Sequence, residues 1–292
     1  FLRGHLPQCI IESGAAALKI LEMMADTKMS LSKKRIVVKV GTSTLTNERG
    51  DIDIHEMDLL CRALSGIENL GYDLVLVSSG AIAVGANKMR LQQKPADLRL
   101  KQAAAAVGQC ELMHLYDKLF QEYGRMTGQI LLNSDDVEVP ERRENLKNTF
   151  DALLENHIIP IVNENDSVSH VEIESDKKLF SDNDMLAAVV AVFCNASKLI
   201  ILSDIDGLYD SNPNTHPDAK LISRVEKIDE NIRAIAEGTG SNRGTGGMIT
   251  KLDAAELATS RGIDVLITHG HKPELLYDII NKKKVGTLFV AR

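Results

Sequence analysis

From Arg35 onward, short apolar runs alternate with longer stretches in which apolar residues recur every three or four positions. The short runs are RIVVKV (35–40), DLVLVSSGA (73–81), TGQILL (127–132), IIPIVN (158–163), KLIILSD (198–204), DVLITHG (264–270) and GTLFVA (286–291). The first of them is β-branched and stops at Gly41, and such continuous apolar runs are the pattern of strands buried in a parallel sheet. DIHEMDLLCRALSGIENLG (53–71) has helical spacing and ends at Gly71, a C-cap signal. Helices are also expected in 97–124, with Gly108 inside, and in 141–157, 182–196 and 228–238, then from Met248 onward and in 272–283. This alternation predicts an α/β fold, with a mainly parallel central sheet and helices on both faces.

Sheets of this kind bind ligands at the carboxyl ends of their strands. Polar residues collect at four such ends: Gly41, Ser78-Ser79-Gly80, Asn163 to Asp166, and Ser203-Asp204. A fifth feature is GTGSNRGTGGMITKLDAAELA (238–258), a glycine-rich loop that turns into a helix carrying Lys251. Glycines let backbone N–H groups approach a phosphate, and the helix offers its positive end. A solvated surface loop has the same composition, so the loop alone leaves both readings open. It matches neither GxxxxGK[ST] nor GxGxxG.

Lys39 stands near the end of the first strand. In a buried strand an ammonium needs a counter-charge or a ligand, whereas on an edge strand it would simply be solvated. Two lysines from opposite halves of the chain suit phosphoryl transfer, which neutralises charge around the migrating group. Ser181 or Asp182 can cap the helix that begins near Asn183, and Asp184 can complement its dipole. The same helix end can also bind a ligand and orient a lysine. Ser79 and the backbone N–H groups after it suit a substrate carboxylate, the alternative being an ordinary strand-end turn.

Composition narrows the classes. The chain has 292 residues, 44% hydrophobic, and no run reaches the ~18 apolar residues of a membrane span. With 4% aromatics, no tryptophan and a net charge of −7, it is not expected to bind nucleic acid. Cys9, Cys61, Cys110 and Cys194 form no CxxC pair, which fits a reducing, cytoplasmic setting. His269 and His271 have no acidic or cysteine partner nearby, so no protein metal site is expected. Residues 1–32 read as an appendage (a tag, leader or extra helix), with Met23, Met24 and Met29 as candidate natural starts.

Together the segments VVKVGTSTLT, VLVSSGAIAVG, LKQAAAAVGQ, PIVNENDSV, SDNDMLAA, LIILSDIDGLY, GTGGMITKLDAA and GTLF resemble the glutamate 5-kinase branch of the amino acid kinase family. The same domain forms the front half of bifunctional pyrroline-5-carboxylate synthases. The resemblance spans about residues 35–290 and implies an αβα sandwich at 33–292, its first part for glutamate and its second for ATP. It implies that Lys39 and Lys251 stabilise the transferring phosphoryl group while Asp184 holds both. Ser79, Gly80, Ala81, Asp166 and Asn183 would bind glutamate, Asp166 through the ammonium. Gly41, Ser203 and Asp204 would line the ATP site with Lys39 and the run Thr245, Gly246, Gly247, Met248, Ile249, Thr250, Lys251. Mg²⁺ would be held mainly through nucleotide phosphates. Proline is implied as a feedback inhibitor, and a homodimer or homotetramer as the assembly.

The alternatives are a kinase of another small carboxylate, such as acetylglutamate or aspartate, or a glutamate or proline sensor without catalysis. Three departures from the family stand out. Only a few residues follow GTLF, so no PUA domain is expected; Ser181 replaces the common glycine before the Asp-Asn-Asp triplet; and the segment 171–181 is longer than in bacterial relatives.

Overall fold

The computed structural model of the protein describes residues 32–47, 50–93, 95–168, 180, 182–213, 215–238 and 247–292. The first half runs β1 (Ser32–Val40), α1 (Thr42–Leu45), α2 (Ile54–Asn69), β2 (Asp73–Ser78), α3 (Ala81–Lys88), α4 (Leu98–Glu122), β3 (Met126–Leu132), α5 (Ser134–Glu138), α6 (Pro140–Glu155) and β4 (Ile158–Glu164). The second runs α7 (Asn183–Phe193), β5 (Ala196–Ser203), β6 (Arg224–Val225), α8 (Glu230–Gly238), α9 (Met248–Thr259), β7 (Asp264–His269), α10 (Leu275–Ile280) and β8 (Thr287–Phe289).

The eight strands form one sheet in the order β3-β4-β2-β1-β5-β7-β8-β6. All neighbours are parallel except β7 and β8. The chain builds outward from β1 on one side, then returns to lay β5 against the other side of β1. The carboxyl end of β1 is therefore the switch point where a ligand crevice opens. Its register brings Val40 opposite both Ser78 and Leu202, and the Ser79 N–H donates to the Val40 carbonyl at 3.2 Å.

Strand alternation decides which side chains meet. Ile36, Val38 and Val40 face one core with α2, α4 and α10, while Val37 faces the other, with α7 and α9. Lys39, two residues from Val37, therefore points to the α7 face. On β4, Asn163 continues the Ile159 and Ile161 row toward α4. On β2, Ser78 continues the Leu74 and Leu76 row, and its hydroxyl lies 3.0 Å from that of Tyr116 on α4.

α7 is apolar all round and buried from Asp184 to Phe193, as a helix sandwiched between sheet and α9 must be. Asp182 caps it, accepting from the N–H groups of Asp184 and Met185, both at 3.0 Å. The expected cap role of Asp182 is thus present, while Ser181 and the segment 171–179 lie outside the described residues. On the other face, α3 and α4 touch backbone to backbone. A Cβ on Gly85 would lie 1.7 Å from the Ala104 carbonyl oxygen, and one on Gly108 would lie 1.8 Å from that of Ala81. Only glycines fit there.

The alternation of strands and helices in the sequence matches the structure closely, with five exceptions. α1 and α5 are four and five residues long, too short to carry a helical period, and β6 is a strand of two residues. α3 follows directly on the SSG turn, which reads as a strand end. β8 runs antiparallel to β7, an edge reversal that no local pattern announces. Among the described residues no helix is long and apolar enough to cross a membrane.

Candidate active site

Lys39, Asp184 and Lys251 come together at the carboxyl end of β1. The Asp184 carboxylate bridges the two ammonium groups, with Oδ1 2.6 Å from Lys39 Nζ and Oδ2 3.0 Å from Lys251 Nζ. All three are buried, and Asp184 is only 1% exposed. Burial alone would push the Asp184 carboxyl up; the attraction of Lys39 and Lys251 outweighs it and holds the group below the usual carboxylate range. Two cations around one anion leave a net positive charge in a nearly dry place, which an anionic ligand would neutralise. Asp182 behaves oppositely: burial first, and then the neighbouring Asp184 charge, push its carboxyl up.

One residue before Asp184, α7 begins with Asn183, which serves a different arrangement. Its Nδ2 donates to the Ser78 carbonyl (2.9 Å), to Ser79 Oγ (3.0 Å) and to Asn163 Oδ1 (2.9 Å). Asn163 Oδ1 also accepts from the Glu164 backbone N–H (2.9 Å), and its Nδ2 donates to Gln109 Oε1 on α4 (2.9 Å). Three amides thus run in series from the charged centre to a cavity of about 350 Å³. Ala81, Gln109, Gln129, Glu164 and Asp166 contribute to its wall. The turn before Ala81 requires Gly80, whose φ of 99° a side chain would strain. Gly80 starts α3 with no side-chain cap, leaving backbone N–H groups available to a carboxylate.

On the opposite side of β1, the remaining expected residues gather around the β5 end. A Cβ on Gly41 would lie 3.8 Å from Lys39 Nζ and 3.8 Å from the Leu202 carbonyl oxygen, so this turn sits against the charged centre. The Ser203 hydroxyl donates to Asp204 Oδ1 at 3.1 Å; Ser203 is buried and Asp204 exposed. α9 starts at Gly247 with no side-chain cap, and an added Cβ there meets nothing within 4 Å among the described residues. Met248 is buried, Ile249 and Thr250 are half-buried, and the Thr250 hydroxyl bonds back to the Gly247 carbonyl at 3.0 Å. Thr245 and Gly246 lie outside the described residues.

The structure thus joins Lys39, Asp184 and Lys251, joins Ser79 to Asn183, and places Ala81 and Asp166 on one cavity. Asn163 and Glu164 belong to the polar strand end 163–166 that the sequence offers, though neither was given a role of its own; Gln109 and Gln129 were not picked out as site residues. Gln109 had a usable signal: it falls on the same helical stripe as Ala104, Ala105, Gly108 and Leu112, all inward-facing. Of the small residues of this helix, Ala104, Ala105 and Gly108 lie buried; Gly108 and the Ala104 carbonyl meet α3.

Comparison with known proteins gives a consistent answer. Residues 34–269 match the model of the amino acid kinase family. The glutamate 5-kinase of Clostridium perfringens is 54% identical over 259 residues, covering 89% of this chain and 96% of that protein. That of Listeria innocua is 48% identical over 261 residues, covering 89% and 94%. Among solved structures, carbamate kinase from Giardia lamblia bound to AMP-PNP superposes with a TM-score of 0.61 at 17% identity, covering 89% of this chain and 99% of that one. The UMP kinase of Ureaplasma parvum gives 0.59 at 17% identity, covering 89% and 100%. At such low identity these two show the fold alone.

Proposed function

The chain belongs to the amino acid kinase family, in its glutamate 5-kinase branch, and from that premise we propose how its cleft transfers a phosphoryl group to a carboxylate. The reaction is ATP-dependent phosphorylation of the glutamate side chain to γ-glutamyl phosphate, the first step of proline biosynthesis. A γ-carboxylate oxygen attacks the γ-phosphorus as the bond to the ADP oxygen breaks. Negative charge spreads over the phosphoryl oxygens during transfer, and fixed cations there lower the barrier.

The observation that carries this reading is the Asp184 bridge between Lys39 and Lys251. It holds two ammonium groups, one from each half of the chain, at one point. Ser79, the Gly80–Ala81 turn, Asn183 and Asp166 bind glutamate, with Asp166 on the ammonium and Ser79 with the turn on the α-carboxylate. Gly41, Ser203, Asp204 and Gly247 to Lys251, with Thr245 and Gly246, line the nucleotide side. Mg²⁺ would come with the nucleotide, held mainly through its phosphate oxygens and water, and would supply further counter-charge to the phosphoryl oxygens.

Proline presents the same ammonium and carboxylate and competes with glutamate for this end of the cleft. The working form is a homodimer or homotetramer in the cytoplasm, where the thiols of Cys61, Cys110 and Cys194 stay free as they are in the structure.

ADP release measured with glutamate, acetylglutamate, aspartate and carbamate tests the activity. Turnover should be highest with glutamate and fall when millimolar proline is added at sub-saturating glutamate. Equal or greater turnover of another carboxylate would overturn the assignment.

A further inference from the structure

The direction of the amide series leaves one donor that meets no acceptor among the described residues. The Glu164 backbone N–H can only donate, so it fixes the Asn163 oxygen on its own side. Asn163 Nδ2 must then turn to Gln109, which meets it with Oε1. The Ser78 carbonyl, which can only accept, fixes Asn183 in the same sense. Each orientation is set by a backbone group, and together they turn Gln109 Nε2 away from the series. Gln109 is 8% exposed, and among the described residues its Nε2 finds no acceptor. What it faces is the 350 Å³ cavity, whose wall also carries Ala81 and Asp166.

An amide N–H₂ that opens on a cavity is completed there by water or by an acceptor of a ligand that displaces it. The ligand group must be an acceptor, and the neighbouring turn after Gly80 offers backbone N–H groups to the same kind of group. Asp166 supplies the complementary charge for an ammonium. An amino acid's α-carbon carries both groups side by side. We propose that Gln109 is a further specificity-determining residue, donating from Nε2 to the α-carboxylate of the amino-acid substrate, opposite the Gly80–Ala81 turn. This rests on the reading of the cleft as a glutamate site. The close crossing at Gly108, with its carbonyl contact to Ala81, is what brings Gln109 beside that turn.

Two substitutions separate contact with substrate from support of Asn163. Gln109→Glu keeps an acceptor for Asn163 but turns a negative oxygen toward the α-carboxylate. Gln109→Leu removes both. Steady-state kinetics with MgATP should show the glutamate KM of Gln109→Glu raised about 10- to 100-fold, at least as much as in Gln109→Leu. The KM for ATP should stay within about twofold, and kcat should change much less than the glutamate KM. If Gln109→Leu raises the KM while Gln109→Glu matches wild type, Gln109 only supports Asn163 and the proposal is overturned. Wild-type protein that releases no ADP with glutamate would instead overturn the reading of the cleft, and this assignment with it.

Discussion

At one end of the cleft three charged side chains meet, Lys39, Asp184 and Lys251; at the other, three neutral amides, Asn183, Asn163 and Gln109, are joined in series. The two ends are joined at the first turn of α7, where Asn183 serves one and Asp184 the other. A migrating phosphoryl group changes its charge distribution during reaction, so it calls for strong counter-charge with some freedom to follow it. An amino acid bound before and after transfer keeps its α-groups unchanged, so it calls for donors and acceptors of fixed direction. Charges give strength and amides give direction, and on the proposed assignment each end uses the kind its ligand would demand.

The largest effect should come from breaking the charged end. Lys251→Ala and Asp184→Ala should chiefly lower kcat, by about 30- to 1,000-fold, or roughly 2–4 kcal/mol of barrier. Asp184→Ala also leaves two buried ammonium groups facing each other, at a stability cost on the order of 3–5 kcal/mol. Rapid-quench or steady-state assays together with urea unfolding separate the two losses. A kcat within threefold of wild type in Lys251→Ala would remove that lysine from the transfer step.

The amide end should break more through its scaffold than through any one bond. Gly108→Ala forces a methyl onto the Ala81 carbonyl, where the gap is 1.8 Å, so α3 and α4 must separate. Overpacking of this kind costs about 1–3 kcal/mol or more. Urea midpoints should fall, and the glutamate KM should rise, because the crossing positions both Gln109 and the Gly80 turn. An unchanged glutamate KM in a folded Gly108→Ala protein would mean that the crossing does not set the geometry of this end.

The two ends also differed in how far the sequence disclosed them. Strand alternation and the polar strand ends made the sheet, Gly41, Ser79 and Ser203 legible, because those signals are local. Lys39 could be read as costly in a buried strand, and the structure supplies its counter-charge from α7. Gln109 was harder: the helical stripe it shares with Ala104, Ala105, Gly108 and Leu112 marks it as inward-facing but does not say what it meets. The antiparallel β8 and the glycine crossing of α3 on α4 depend on contacts between distant segments, and no periodicity encodes those.

Asp166 tests whether the amino-acid end works in the ground state. Its proposed partner, the substrate ammonium, keeps its charge throughout the reaction. Asp166→Ala should therefore raise the glutamate KM by about 10-fold or more while lowering kcat less, with the KM for ATP nearly constant. If ATP binding weakened and glutamate binding did not, the division of the cleft into two ends would be misdrawn.

The smallest effect concerns Asp182, which caps the helix turn where the two ends meet. Its carboxyl is pushed above the usual 3.8 by burial and by Asp184, whereas an unfolded chain would ionise it near that value. As pH rises from about 3.8 through the folded-state pKa, the folded protein holds more protons than the unfolded one, so this group makes stability fall with pH. The slope cannot exceed about 1.4 kcal/mol per pH unit for one proton. Asp182→Asn keeps a good capping residue but removes the titration. The stability of Asp182→Asn relative to wild type, from urea unfolding between about pH 4 and 8, should therefore increase with pH and then level off. Asp184 has the opposite sign and a lower window: its contribution is complete above about 3.8 and is lost only as pH falls through its depressed pKa. It therefore leaves the Asp182 window flat. A gap between wild type and Asp182→Asn that does not change with pH would show that neither burial nor the charge of Asp184 raises the Asp182 carboxyl in the fold.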